Sequence, residues 1–176
     1  ARKQMDYAGA AELFQRLERL YPDSGFMERA NIEAAECMIE EGNAGEAANE
    51  FQEFIQQNVN SPLRPLVLYD MGKALQRAGK LGEAIEQYKA AAGGETGHLA
   101  ARAHFSIAEC LAELDRIEEA VAELVGMVRG AYPPGWAERA QLQIAQLLER
   151  DGQMEEARHI YTAAAQAYHN EAAGIV

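Results

Sequence analysis

The residues of this chain that could do chemistry are few and poorly grouped. Four histidines occur, His98, His104, His159 and His169. A helical metal site needs two of them four residues apart on one face, and no pair has that spacing. Two cysteines, Cys37 and Cys110, form no CxxC motif and no metal-ligand pattern. The three serines and two threonines, Ser24, Ser61, Ser106, Thr96 and Thr162, lie outside any nucleophile elbow or glycine-rich phosphate loop. Gly93-Gly94 reads as a junction. Two glutamate pairs at i, i+4, Glu36/Glu40 and Glu109/Glu113, could in principle act as the facing carboxylates of a glycosidase, but solvated helix faces account for them. Catalytic residues, metal ligands and cofactors are therefore all expected to be none, and the chain is expected not to be an enzyme.

What must position these side chains is helical. Nearly half the residues are apolar, alanine dominates that fraction, and no alternating Val/Ile/Thr-rich run reads as a strand. The formal net charge of −12 opposes nucleic acid, whose binding rests on Lys and Arg neutralising phosphates, and opposes anionic membrane surfaces. No apolar run reaches the roughly 18 residues needed to insert across a bilayer. No signal peptide is visible, and the chain opens on Ala1.

Five segments align with one another: DYAGAAELFQRL, NAGEAANEFQEF, KLGEAIEQYKAA, RIEEAVAELVGM and QMEEARHIYTAA. Each places an alanine four residues before a bulky residue, with a third apolar or alanine position three further on. The sets are Ala10/Phe14/Leu17, Ala47/Phe51/Phe54, Ala84/Tyr88/Ala91, Ala120/Leu124/Met127 and Ala157/Tyr161/Ala164, and their alanines lie 37, 37, 36 and 37 residues apart. This spacing keeps each set on one helical face. A second helix precedes four of them, with core faces Asn31/Ala34/Ala35/Met38, Leu68/Met71/Gly72/Leu75, His104/Ile107/Ala108/Leu111 and Gln141/Ile144/Ala145/Leu148. The small residues Ala35, Gly72, Ala108 and Ala145 each stand 12 residues before the alanine of the next helix. Seven residues after each comes a stop signal, Gly42, Gly79, Asp115 or Gly152. The unit is helix, tight turn, helix.

This pattern resembles the tetratricopeptide repeat, most closely in Leu68-x-x-Met71-Gly72-x-x-Leu75 followed by Ala84-x-x-x-Tyr88, with Pro22 at the place of the family's closing proline. The resemblance covers essentially the whole chain. It implies an all-α, right-handed superhelical solenoid of antiparallel helix pairs: one repeat domain over 1–176, with a half repeat at 6–22 and repeats at about 25–60, 62–94, 97–132 and 135–170, nine helices in all. The chain departs from the family in its period and in Asn31, His104 and Gln141, which replace an early bulky residue. The added length falls in the turn-rich junctions LYPDSG, QNVNSP, GGETGH and AYPPG. Such junctions resemble bacterial cell-envelope members of the family, among them outer-membrane assembly lipoproteins and Tol–Pal-associated proteins. A periplasmic place in the bacterial envelope is thus the expected localisation, with the cytoplasm as the alternative. Both ends are expected to continue, into further repeats or another domain.

The function that follows is protein binding, with a partner segment held in a concave groove lined by the first helices. The alternative is a non-catalytic module packing in cis on an enzyme or sensor domain of a larger protein. Candidate groove residues are the basic row Arg29, Arg102 and Arg139 and the apolar row Ile32, Tyr69, Phe105 and Leu142. The asparagines and first lysines of a carboxylate clamp are missing. A further row, Glu40, Arg77, Glu113 and Arg150, alternates in sign and is expected to form a ladder of ion pairs between repeats, beside a row of Glu36, Lys73, Glu109 and Gln146. Trp136, after Tyr132-Pro133-Pro134-Gly135, is read as a hydrophobic staple, His104 as a packed, hydrogen-bonded histidine, and both cysteines as small buried hydrophobes on the order of 20 Å apart. Leu13/Leu17/Leu20 and Ile160/Ala164 on the end helices are expected to promote self-association.

Overall fold

The computed structural model describes residues 27–93 and 96–172, together with Gly9, Leu13, Arg16 and Leu20, and the side chains only as far as Gln166. Among these residues are eight helices and no strand: α1 Met27–Glu40, α2 Ala44–Gln57, α3 Arg64–Arg77, α4 Leu81–Ala92, α5 His98–Glu113, α6 Ile117–Arg129, α7 Trp136–Arg150 and α8 Met154–Ala172. The expected helix at 6–20 lies outside the described residues except for those four, each of which is helical. Leu13 and Leu20 there are 67% and 60% exposed. The chain divides into two compact units, Ala1–Ala91 and Ala92–Val176.

Every helix pair is joined by the same backbone turn. Gly42, Gly79 and Gly152 have φ of 92°, 76° and 82°, and Asp115 takes the same left-handed conformation at 61°. In each turn the next amide reaches back to the same carbonyl: Asn43 to Met38, Lys80 to Leu75, Arg116 to Leu111 and Gln153 to Leu148, at 2.8–2.9 Å. The preceding amide closes a second bond, onto Ile39, Gln76, Ala112 and Glu149. These are the two bonds of a Schellman motif, which satisfy carbonyls the helix end would leave orphaned. Pro65 sits in the first turn of α3, where its missing N–H has no cost.

The register alanines lie deep in the core. Ala47, Ala84 and Ala120 are fully buried and Ala157 is 2% exposed. Phe51, Tyr88 and Leu124 beside them are buried almost completely, and burial of a side chain of that size contributes roughly 1.5–3 kcal/mol. Ala10/Phe14/Leu17 fall outside the described residues. In the first unit α1 packs on α2 and α3, and α2 on α3. In the second, α6 packs on α5 and α7, α7 on α8, and α5 on α7. At Gly72 of α3 an added Cβ would stand 2.6 Å from the Tyr88 ring of α4. Tyr69 lies against the same ring at 5.4 Å between centroids, and the Tyr88 hydroxyl donates to Gln76.

The core face expected for α1 needs correction. Asn31 is exposed, and the buried residues are Ala30, Ile32, Ala35 and Ile39. The two isoleucines carry more apolar area than Ala34 and Met38 offer together with Asn31, so the helix turns to bury them.

Gly72→Ala should therefore lower unfolding free energy by about 1–3 kcal/mol through overpacking against Tyr88. Gly82→Ala, in helical backbone with nothing near its Cβ, should instead stabilise by roughly 0.5–1 kcal/mol. Urea unfolding monitored by circular dichroism reads both, and equal effects would show that Tyr88 yields to the added methyl.

Candidate functional site

The face carried by the first helices of each pair differs between the two units. In the first unit it is occupied by charges that meet one another. Arg29 bonds Glu33 at 3.2 Å. Lys73 reaches Asp70 at 3.1 Å and Glu36 at 3.5 Å, linking α3 to α1, and Arg77 lies 3.4 Å from Glu40. Asp70 is 2% exposed. Burial works against the Lys73 charge, but Asp70 and Glu36 outweigh it and hold the ammonium above its ordinary pKa. For Glu36 burial and then Asp70 push the carboxyl up, against the pull of Lys73.

Ile32 and Tyr69, named with the apolar row, are 3% and 6% exposed and present almost no surface to a partner. Ile32 belongs to the α1 core face, and Tyr69 is held against Tyr88. This half of the row packs between helices instead of lining an accessible face.

The second unit presents a different surface. Trp136, the first residue of α7, and Arg139 one turn later stand beside Phe105 of α5. The Arg139 guanidinium carbon lies over the Trp136 ring at 4.7 Å and over the Phe105 ring at 5.3 Å, and the two rings are 6.0 Å apart between centroids. Trp136 also donates from Nε1 to His98 Nδ1 at 3.4 Å. Leu142, a turn beyond Arg139, is 47% exposed, and Arg102 is exposed one turn before Phe105. Trp136 is thus part of this cluster as well as of the junction. The signal was its place three residues before Arg139, on the same helical face.

Farther along the same face the charges turn acidic. Burial, and after it the Glu113 carboxylate, raise the Glu109 carboxyl above its ordinary pKa, while Arg139 pulls it back. Arg150 donates to the Ala112 carbonyl and lies 3.7 Å from Asp115, so its contacts at the end of α5 include the turn residue. Arg77 and Glu113 belong to different units.

The remaining chemistry-bearing residues are structural. His104 bonds Glu123 of α6 through Nδ1 and meets Tyr132 edge-on at 5.7 Å. Cys110 is buried and its thiol is pushed up to about 12, by burial first and then by Glu113 and Glu109. Cys37 is shifted in the same direction, again mainly by burial. Both thiols are free, and the upward shifts disfavour the reactive thiolate. Among the described residues no group of three or more His, Cys, Asp or Glu could hold a metal ion, and no helix is long and apolar enough to cross a membrane.

The tetratricopeptide repeat family matches residues 38–94 and 69–135, and a second match to tetratricopeptide repeats covers residues 1–24. The chain belongs to the tetratricopeptide repeat family. No curated protein matches it. Solved tetratricopeptide structures share its all-α TPR-like solenoid fold at low sequence identity. The nearly identical TPR-like repeats assigned to a kinesin light chain of Podosopora anserina are 16% identical, with a TM-score of 0.75 over 94% of this chain and 88% of that one. A crystal structure of MamA is 18% identical, with a TM-score of 0.73 over 97% and 94%. BtubC (BKLC) from P. vanneervenii is 16% identical, with a TM-score of 0.71 over 97% and 75%.

Two outcomes test the electrostatics of these tetratricopeptide pairs. The Glu40–Arg77 pair is largely exposed and should contribute only about 0–1 kcal/mol, so the swapped double variant Glu40→Arg/Arg77→Glu should regain most of what either reversal loses in thermal melts. Glu109→Gln should raise the melting temperature at neutral pH. A carboxyl whose folded pKa is raised penalises folding above that pKa, and the penalty fades as pH falls below it toward the ordinary value. The advantage should therefore vanish in melts near pH 4, and an advantage that persists there would trace to packing instead of charge.

Proposed function

We propose that this chain is a protein-interaction module that holds a segment of a partner protein on the first-helix face of its second unit. The observation that carries this reading is the cluster of Phe105, Trp136 and Arg139, with exposed Leu142 and Arg102 beside it. Aromatic residues and arginine supply much of the binding energy at protein interfaces, and an exposed cation–π contact contributes only about 0.5–1 kcal/mol. The cluster is thus weakly committed to the fold and open to a ligand. The first unit supports the same reading by contrast with Arg139, which among the described residues meets rings and no carboxylate, since Arg29, Lys73 and Arg77 there already face carboxylates. Contact residues are Arg102, Phe105, Trp136, Arg139 and Leu142. The tetratricopeptide family agrees with a binding role.

Phe105→Ala combined with Arg102→Ala should reduce recovery of a partner in pull-downs by at least about tenfold while leaving far-UV circular dichroism unchanged. Trp136 is the only tryptophan, so its fluorescence should respond when that partner is titrated into the native protein. Undiminished recovery by the double variant would move the interface to another face.

A further inference from the structure

Arg139 has donors that the fold leaves unused. Its guanidinium lies over two aromatic rings, and rings do not satisfy its five N–H groups as carboxylates do. Among the described residues no carboxylate comes within ion-pair distance of it, although Glu109 is near enough to feel its charge. The side chain is held by Phe105 and Trp136 while its hydrogen-bonding capacity stays available. Such a guanidinium is a preorganised receptor for a planar oxyanion, since a bidentate carboxylate matches its fork. The surroundings set the rest of the ligand. Arg102 is exposed at the same end of the α5–α7 face, and Leu142 adds an exposed apolar patch one turn from Arg139. The two guanidiniums and this apolar patch make this end the complement of an acidic segment, although the chain as a whole carries −12.

We infer that the partner segment is acidic, with a Glu or Asp side chain seated on Arg139 and a neighbouring apolar side chain on Leu142 and Phe105. This rests on the interaction face proposed above and adds the chemistry of its occupant. Recognition is of a side-chain carboxylate within the segment, so no free C-terminus is required. Glu109 opposes the incoming charge, so its neutral form is the more receptive.

The test is a titration of the intact chain with an N-acetylated, C-amidated peptide of alternating Glu and Leu, followed by Trp136 emission and by calorimetry. Parallel peptides carry Gln, Lys or phosphoserine in place of Glu. The Glu peptide should bind, more weakly at raised salt. Arg139→Gln should weaken it by about tenfold or more, and Arg139→Lys should rescue only in part, because an ammonium lacks the fork. Glu109→Gln should tighten it. Circular dichroism checks that each variant is folded. Equal binding of the Gln peptide, unchanged binding by a folded Arg139→Gln, or binding of the phosphoserine peptide alone would overturn the inference. If none of the peptides binds while a captured partner still depends on Phe105, the acidic segment is wrong and the interaction face stands. If the Glu peptide binds through Arg139 but no partner depends on Phe105 or Arg102, the carboxylate receptor stands and the interface reading falls.

Discussion

A phenol ring lying against a backbone that has no side chain is the contact on which the best-formed repeat depends. Tyr88 is fully buried, and it reaches that depth because Gly72 leaves room for its ring. The approach brings α3 and α4 close enough for the Tyr88 hydroxyl to meet Gln76 and for Tyr69 to rest on the ring. Other pairs put alanine in the place of Gly72, with Phe51 or Leu124 as the bulky residue. The rule is therefore one of complementary size: a small residue on the first helix, a large one on the second, and an alanine one turn before it. Helix spacing follows from that rule, and the spacing decides which first-helix residues remain on the surface.

This explains how far the fold could be read in advance. The alanine register and the stop signals were legible because both are dictated by steric limits that tolerate few residue types. Ala47, Ala84 and Ala120 are fully buried, where small size matters most, and the left-handed turns favour Gly. The candidate site was less legible. Ile32 and Tyr69 occupy the same helical position as Phe105 and Leu142, yet the first two are buried and Leu142 is open. Periodicity places a residue on a face but does not say how deeply neighbouring side chains cover that face. Asp70 escaped notice for a similar reason, since a buried carboxylate is sensible only once Lys73 is seen beside it. Trp136 was legible as a junction residue; its contact with Phe105 joins two helices and has no local signature.

The two units thus use one scaffold in opposite ways. The face of the first is spent on contacts within itself, Lys73 meeting Asp70 on its own helix and joining α3 to α1 through Glu36. That of the second keeps aromatic and cationic side chains at the surface, where they gain little from one another. Equivalent positions along a repeat array need not share a role, because the core rule constrains only the sides of each helix that meet a neighbour.

The four Schellman turns carry a consequence for how such a chain can change over time. In each of these turns the same two backbone bonds close the end of the first helix. A gene segment of one period could be duplicated or deleted by recombination between copies, and every new turn would still close its own carbonyls. Lengthening or shortening the array would then require only that the small-to-large matching be kept at one fresh seam. Variation in repeat number is accordingly an accessible evolutionary path for this architecture, while exchange of Gly72 for a larger residue requires Tyr88 to move or change with it.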